Sequence, residues 1–162
     1  MKEPMNVRTP ELAAWTSGLA GPATDAWLIH TEAMARVRRG EDVIVLSVGD
    51  PDFDTPFRIR QAAKDALDAG RTHYADVQGK PALREAIAHH HGRLTGRPVD
   101  PERVVALAGA QCALFAACQC LLNPGDEVVV PAPAYVTYPA TIAAAAAVMV
   151  NVPLDAETGF RP

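Results

Sequence analysis

The chain has 162 residues, 49% of them hydrophobic and 21% charged, with a net charge of −4. That is enough to bury the core of one ordinary domain, and it excludes a disordered or strongly basic, nucleic-acid-binding composition. The cysteines, Cys112, Cys118 and Cys120, are odd in number and fall in one apolar segment. They suggest packed thiols in a reducing, cytoplasmic compartment rather than a disulfide framework.

Along the chain, residues 1 to about 24 carry only weak signals and read as an arm. No continuous apolar stretch in "MKEPMNVRTPELAAW" suggests a leader peptide. A helix is predicted from Asp25 to Arg39, with Ala26, Ile29, Ala33, Met34 and Val37 on one face and Arg36, Arg38 and Arg39 at its carboxyl end, where cations suit the dipole. "VIVLSV" (Val43 to Val48) has the β-branched content of a strand. In "LSVGDPDFDTP", two prolines and three acidic residues follow it. Thr55 is a candidate cap and Pro56 a first helical residue, before Ile59, Ala62, Ala63, Ala66 and Leu67 recur at helical spacing up to Gly70. "RTHYADVQGK" reads as a loop. A helix with Leu83, Ile87 and Leu94 in register follows from Pro81, then a turn at "GRPVDPE".

From residue 100 on, strand and helix signals alternate. "RVVAL" (Arg103 to Leu107) reads as a strand and Gln111 to Leu122 as an apolar helix. "NPGDE" is a turn, "VVVPAP" a buried strand, Tyr135 to Ala145 a helix, and "AVMVNVPL" a last strand. Such alternation predicts parallel β-α units with both sheet faces covered. The longest apolar run, Ala140 to Val152, is too short and alanine-rich to span a bilayer, so no membrane role is expected.

Three places suggest chemistry. In "LAGAQCAL", Gly109 sits between a predicted strand and a helix start, where free N–H groups and the dipole suit a phosphate. Gln111 adds a side-chain donor, although a plain β-α turn would need a small residue too. Tyr135 follows a strand's carboxyl end, where ligands sit in open α/β sheets. It is either a ring that stacks on a planar ligand or an ordinary tyrosine, and Tyr138 reads as packing. Tyr74 and Lys80 sit in or beside the loop, the lysine solvated. His89, His90 and His91 point in three directions on a helix and are not read as a metal site.

Taken together, "GDPDFDTP", "THYADVQGKPALREAIA", "GAQCALFAACQCLLNPGDEVVVPAPAYVTYP" and "GFRP" resemble, in order and spacing, the N-terminal part of the class I/II aminotransferases. Within that family the wording is most similar to the subgroup that pairs arginine with pyruvate. The resemblance implies an incomplete large domain of pyridoxal-phosphate fold type I, a parallel-rich α/β sheet flanked by helices. Residues 1–42 would form the N-terminal arm and helix, and 43–162 the domain's truncated N-terminal part. It implies pyridoxal 5′-phosphate as cofactor, an amino acid and a 2-oxo acid as substrates, and a homodimer. Carried over residue by residue, Gly109, Ala110 and Gln111 would bind the cofactor phosphate and Tyr135 would stack on its ring. Tyr74 would reach the neighbouring subunit's phosphate, and Gly49 would meet the substrate α-carboxylate.

The family's chemistry also needs a Schiff-base lysine. The lysines here, Lys2, Lys64 and Lys80, stand in no matching context. The chain is therefore expected to be a catalytically silent N-terminal portion, poorly folded alone. The alternatives are a non-catalytic phosphate-binding or dimerisation module, a decayed gene product, and a nucleotide-binding α/β domain, this last one without the glycine fingerprint.

Overall fold

A computed structural model describes residues 11–19 and 22–161. After a 3₁₀ turn, Ala14–Leu19, come α1 (Pro22–Arg38), α2 (Phe57–Asp68), α3 (Pro81–Thr95) and a second 3₁₀ turn, Pro101–Arg103. Then follow α4 (Ala110–Leu121), β1 (Glu127–Ala132), α5 (Tyr138–Ala143) and β2 (Val148–Pro153). The chain separates into two compact units. One holds the residues up to Ser47 with those from Leu114 on; the other runs from Val48 to Ala113.

The first unit holds the sheet. β1 and β2 run parallel, with Glu127 opposite Val148 and Ala132 opposite Pro153, so β1-α5-β2 is a β-α-β crossover. Its ends are closed by backbone bonds: Gly125 N–H donates to the Ala146 carbonyl, Val148 N–H to Asp126, and Leu154 N–H to Ala132. Cys118 of α4, Val130 of β1 and Ile142 of α5 form its buried cluster, with Leu114, Leu122 and Tyr138 packed around them. At the carboxyl end of α1 Arg36 pairs with Glu32 at 2.9 Å, and just beyond it Arg39 pairs with Glu41 at 2.8 Å. The Arg36 hydrogen bond holds the Glu32 carboxyl below its ordinary range and moves the arginine up. The depressed value means this pair stabilises above the ordinary carboxylate range and less as pH falls, by little because both side chains are solvated.

The second unit is organised by an arginine. Arg84 on α3 is 5% exposed. Its Nε donates to the Pro101 and Val104 carbonyls at 3.1 and 3.0 Å, its Nη2 donates to Pro101 at 2.8 Å, and Nη2 also pairs with Glu102 at 3.0 Å. Asp100 caps the same turn by accepting the Glu102 N–H.

Several sequence expectations change. Val43 to Val48 and Arg103 to Leu107 are not strands. A strand exists by pairing, and among the described residues only β1 and β2 form a ladder. β1 is covered on one face only: Val130 is buried while Val129 is 65% exposed. On α3 the buried residues are Arg84 and Ala88, and the expected stripe of Leu83, Ile87 and Leu94 is exposed; α2 buries none of its residues. Pro56, not Thr55, is the cap position of α2, without a side-chain cap bond. Helix α5 starts at Tyr138 rather than Tyr135. Pro139 donates no N–H and fits only a first turn, which a start at Tyr135 would not allow, and the observed cap position is Thr137. Of the three thiols, only Cys118 packs; Cys112 and Cys120 are exposed.

Arg84→Met is expected to lower stability by roughly 2–4 kcal/mol, because two carbonyls lose a charged donor. Glu102→Gln should cost under about 1 kcal/mol, since that carboxylate is 76% exposed. Urea unfolding of the two variants checks both, and equal effects would contradict the ranking.

Candidate functional site

The six residues singled out from the sequence, Gly49, Tyr74, Gly109, Ala110, Gln111 and Tyr135, are all exposed. Five belong to the Val48–Ala113 unit and Tyr135 to the other.

Gly109 stands at the entrance of α4 with φ +86°. Its N–H closes a three-residue turn onto Leu107 at 2.9 Å, and its carbonyl accepts the Ala113 N–H at 3.2 Å, the first bond of the helix. Ala110 is therefore the first residue of α4 and Gln111 the second. The first turn of an α-helix presents N–H groups with no intrahelical acceptor, at the positive end of the dipole. An α-carbon substituent on Gly109 would meet nothing within 4 Å. The approach is open, and glycine is required here by backbone conformation rather than by space.

The segment leading to Gly109 is held from two sides. Arg84 grips it at Val104. Ala106 N–H donates to the Gln78 carbonyl at 2.8 Å, which ties it to the loop that carries Tyr74. At that junction Gly79 has φ +104°, and a β-carbon on it would stand 2.7 Å from the Ala106 β-carbon. Tyr74 and Val77 project fully into solvent from the same loop. The structure thus joins the Tyr74 loop to the approach to Gly109 through Gln78, Gly79 and Ala106. Gly49 lies in a turn without regular structure and makes no crowded contact.

In the other unit Tyr135 follows β1 by three residues and is 59% exposed. Its ring lies 5.9 Å from that of Tyr138, tilted by 59°. Tyr138 is half-buried against the Cys118–Val130–Ile142 cluster.

Sequence reasoning missed Arg84 and Gly79. Arg84 carried a legible signal, since it stands four residues before Ala88 on a face that a solvated arginine would not share with a core alanine. Gly79 carried none, because its need arises from Ala106, 27 residues away. A groove of about 630 Å³ beside α3, lined by Glu85, His89 and Arg93 among others, contains none of the six residues. His89, His90 and His91 are exposed, and no cluster among the described residues has metal-ligand character.

Comparison with known proteins gives the frame. Residues 41–162 match the family model described as aminotransferase class I and II. The chain is 60% identical to the arginine–pyruvate transaminase AruH of Pseudomonas aeruginosa over 147 residues, 91% of this chain and 37% of that protein. It is 44% identical to an aspartate aminotransferase of Pyrococcus horikoshii over 81% of this chain and 34% of that one. Among solved structures, the Thermus thermophilus aspartate aminotransferase with maleate superposes with a TM-score of 0.85 at 39% identity, covering 95% of this chain and 40% of that one. The Rhizobium meliloti aspartate aminotransferase gives 0.86 at 34% identity over 95% and 38%. The chain therefore spans about two fifths of the relatives it matches, and its fold is part of theirs.

Alanine substitutions should rank by local geometry. Gly79→Ala is expected to be severe, about 3 kcal/mol or more, from the clash and the positive φ together. Gly109→Ala should cost roughly 1–2 kcal/mol from φ alone. Gly49→Ala should stay within about 0.5 kcal/mol. Denaturant midpoints test the order, and a reversal of the first two would show that the 2.7 Å approach relaxes freely.

Proposed function

The chain belongs to the class I and II aminotransferases, and we propose that it forms the N-terminal cofactor- and substrate-recognising part of a transaminase. In this reading the enzyme moves an amino group from an amino acid, arginine in the first instance, to a 2-oxo acid such as pyruvate. The family works with pyridoxal 5′-phosphate. What supports the donor and acceptor most is the 60% identity to an arginine–pyruvate transaminase across 91% of this chain.

The residues fit the cofactor in kind. At the start of α4, Ala110 and Gln111 offer N–H groups to a dianion, and Gly109 lets the chain enter the helix without a side chain in the approach. Tyr135 offers an exposed ring to cover one face of a pyridine and exclude water from it. The Gly49 backbone meets the substrate α-carboxylate. Tyr74, fully exposed on a loop held at its Gln78–Gly79 end, reaches the phosphate of a second copy in a homodimer. Bound pyridoxal phosphate would supply an electron sink for the charge left at the substrate α-carbon when its proton is removed.

Proton removal needs a base bonded to or poised at that carbon. Lys64 lies exposed on α2 and Lys80 at the solvated start of α3, and neither has a partner that would prepare it for that work. In this reading the described residues recognise without completing turnover; Lys2 lies outside them. Two exposed thiols, Cys112 and Cys120, suit a reducing cytoplasm. No described helix is long and apolar enough to cross a membrane.

The test is to measure pyridoxal 5′-phosphate and pyridoxal binding to the chain by equilibrium dialysis, with arginine–pyruvate transamination alongside. The phosphate is expected to strengthen binding by about tenfold or more, with no turnover above the free cofactor. Equal affinity for the two would remove the phosphate role of Gly109 to Gln111, and turnover would overturn the reading of the lysines.

A further inference from the structure

We propose that Tyr138 is a positioning residue that holds the Tyr135 ring in a fixed orientation for a planar heteroaromatic ligand. The proposal rests on the reading of Tyr135 as the ring that covers the cofactor. A stacking ring gains most when its orientation is set before the ligand arrives, because ordering a free side chain opposes binding. Tyr135 alone would lack that order: it precedes α5, lies outside any regular element and is 59% exposed.

Tyr138 supplies it through two contacts. Its N–H donates to the Tyr135 carbonyl at 3.1 Å, which fixes the turn between them. Its ring meets that of Tyr135 at 5.9 Å and 59°, within the range of favourable tilted aromatic pairs. Tyr138 in turn is set by its packing against the buried hydrophobic cluster of Cys118, Val130 and Ile142. Tyr138 is the first residue of α5 and is followed by Pro139 with its fixed φ, so its backbone is constrained as well. Orientation thus passes from the buried cluster to Tyr138 and from Tyr138 to the exposed ring. A leucine or methionine at 138 would fill the same space against the cluster and leave Tyr135 without its ring partner.

The experiment uses the whole chain labelled with 3-fluorotyrosine, since it contains only three tyrosines. The probe ligand is pyridoxine 5′-phosphate, which has no aldehyde and needs no lysine. In the wild type the Tyr135 fluorine resonance is expected apart from that of fully exposed Tyr74, and it should respond to the ligand. Tyr138→Phe should preserve both features. Tyr138→Leu and Tyr138→Met should move the Tyr135 resonance toward that of Tyr74 and weaken the ligand by roughly three- to tenfold. In both, Cys118 should stay slow toward a thiol reagent while Cys112 and Cys120 react, which shows the cluster intact. An unmoved Tyr135 resonance, unchanged affinity in the non-aromatic variants, or release of Cys118 in both would each overturn the positioning role. A wild-type Tyr135 resonance that ignores the ligand would overturn the stacking reading itself, and the positioning role with it.

Discussion

A single buried guanidinium sets the arrangement of the Val48–Ala113 unit. Burying the Arg84 guanidinium is tolerable only with acceptors in place. The chain supplies them as backbone carbonyls of Pro101 and Val104, with the Glu102 carboxylate on the outer side. This interaction draws the irregular segment from Pro101 onto α3. The bond from Ala106 to Gln78 then brings in the loop below it. The entry into α4 inherits its position from these two attachments. Neither attachment comes from a strand ladder, which explains how Val104, just past the 3₁₀ turn, is held in extended form without being part of a sheet.

Much of the local architecture was legible. The helices lie close to where apolar spacing and Gly or Pro punctuation put them, and β1 and β2 are parallel neighbours joined through a helix, as alternating signals require. What could not be read was which apolar stripes would be buried. Leu83, Ile87 and Leu94 on α3, and Ile59 and Leu67 on α2, form regular stripes that remain exposed among the described residues. Periodicity reports that a face suits burial; it does not report whether a surface is there to meet it. The same holds for Val43 to Val48, whose β-branched content favours a strand but whose pairing partner is not supplied here. Pro139 was an available signal read too loosely, since a proline tolerated only in the first turn cannot belong to a helix that begins as early as Tyr135.

Exposure has a different meaning at the recognition residues. Gly49, Tyr74, Gly109, Ala110, Gln111 and Tyr135 reach solvent, yet the elements behind several of them are fixed by specific contacts. Gly79 against Ala106 secures the base of the Tyr74 loop, and the turn from Leu107 to Gly109 secures the entry to α4. A motif reading finds the residues that would touch a ligand. It passes over those that make touching reproducible, because their work is defined by neighbours distant in sequence.

The β1-α5-β2 crossover has a bearing on how the chain acquires its structure. Each ladder pair joins residues only 21 positions apart (148 − 127 = 21), and the turn bonds at Gly125, Val148 and Leu154 close the crossover upon itself. Parallel pairing is ordinarily slow because long loops must close before any contact rewards them. Here the closure is short, and most of the connection is already ordered as α5 and its flanking turns. On a ribosome this piece can pair as soon as it clears the exit, with both of its strands and the helix between them already in hand.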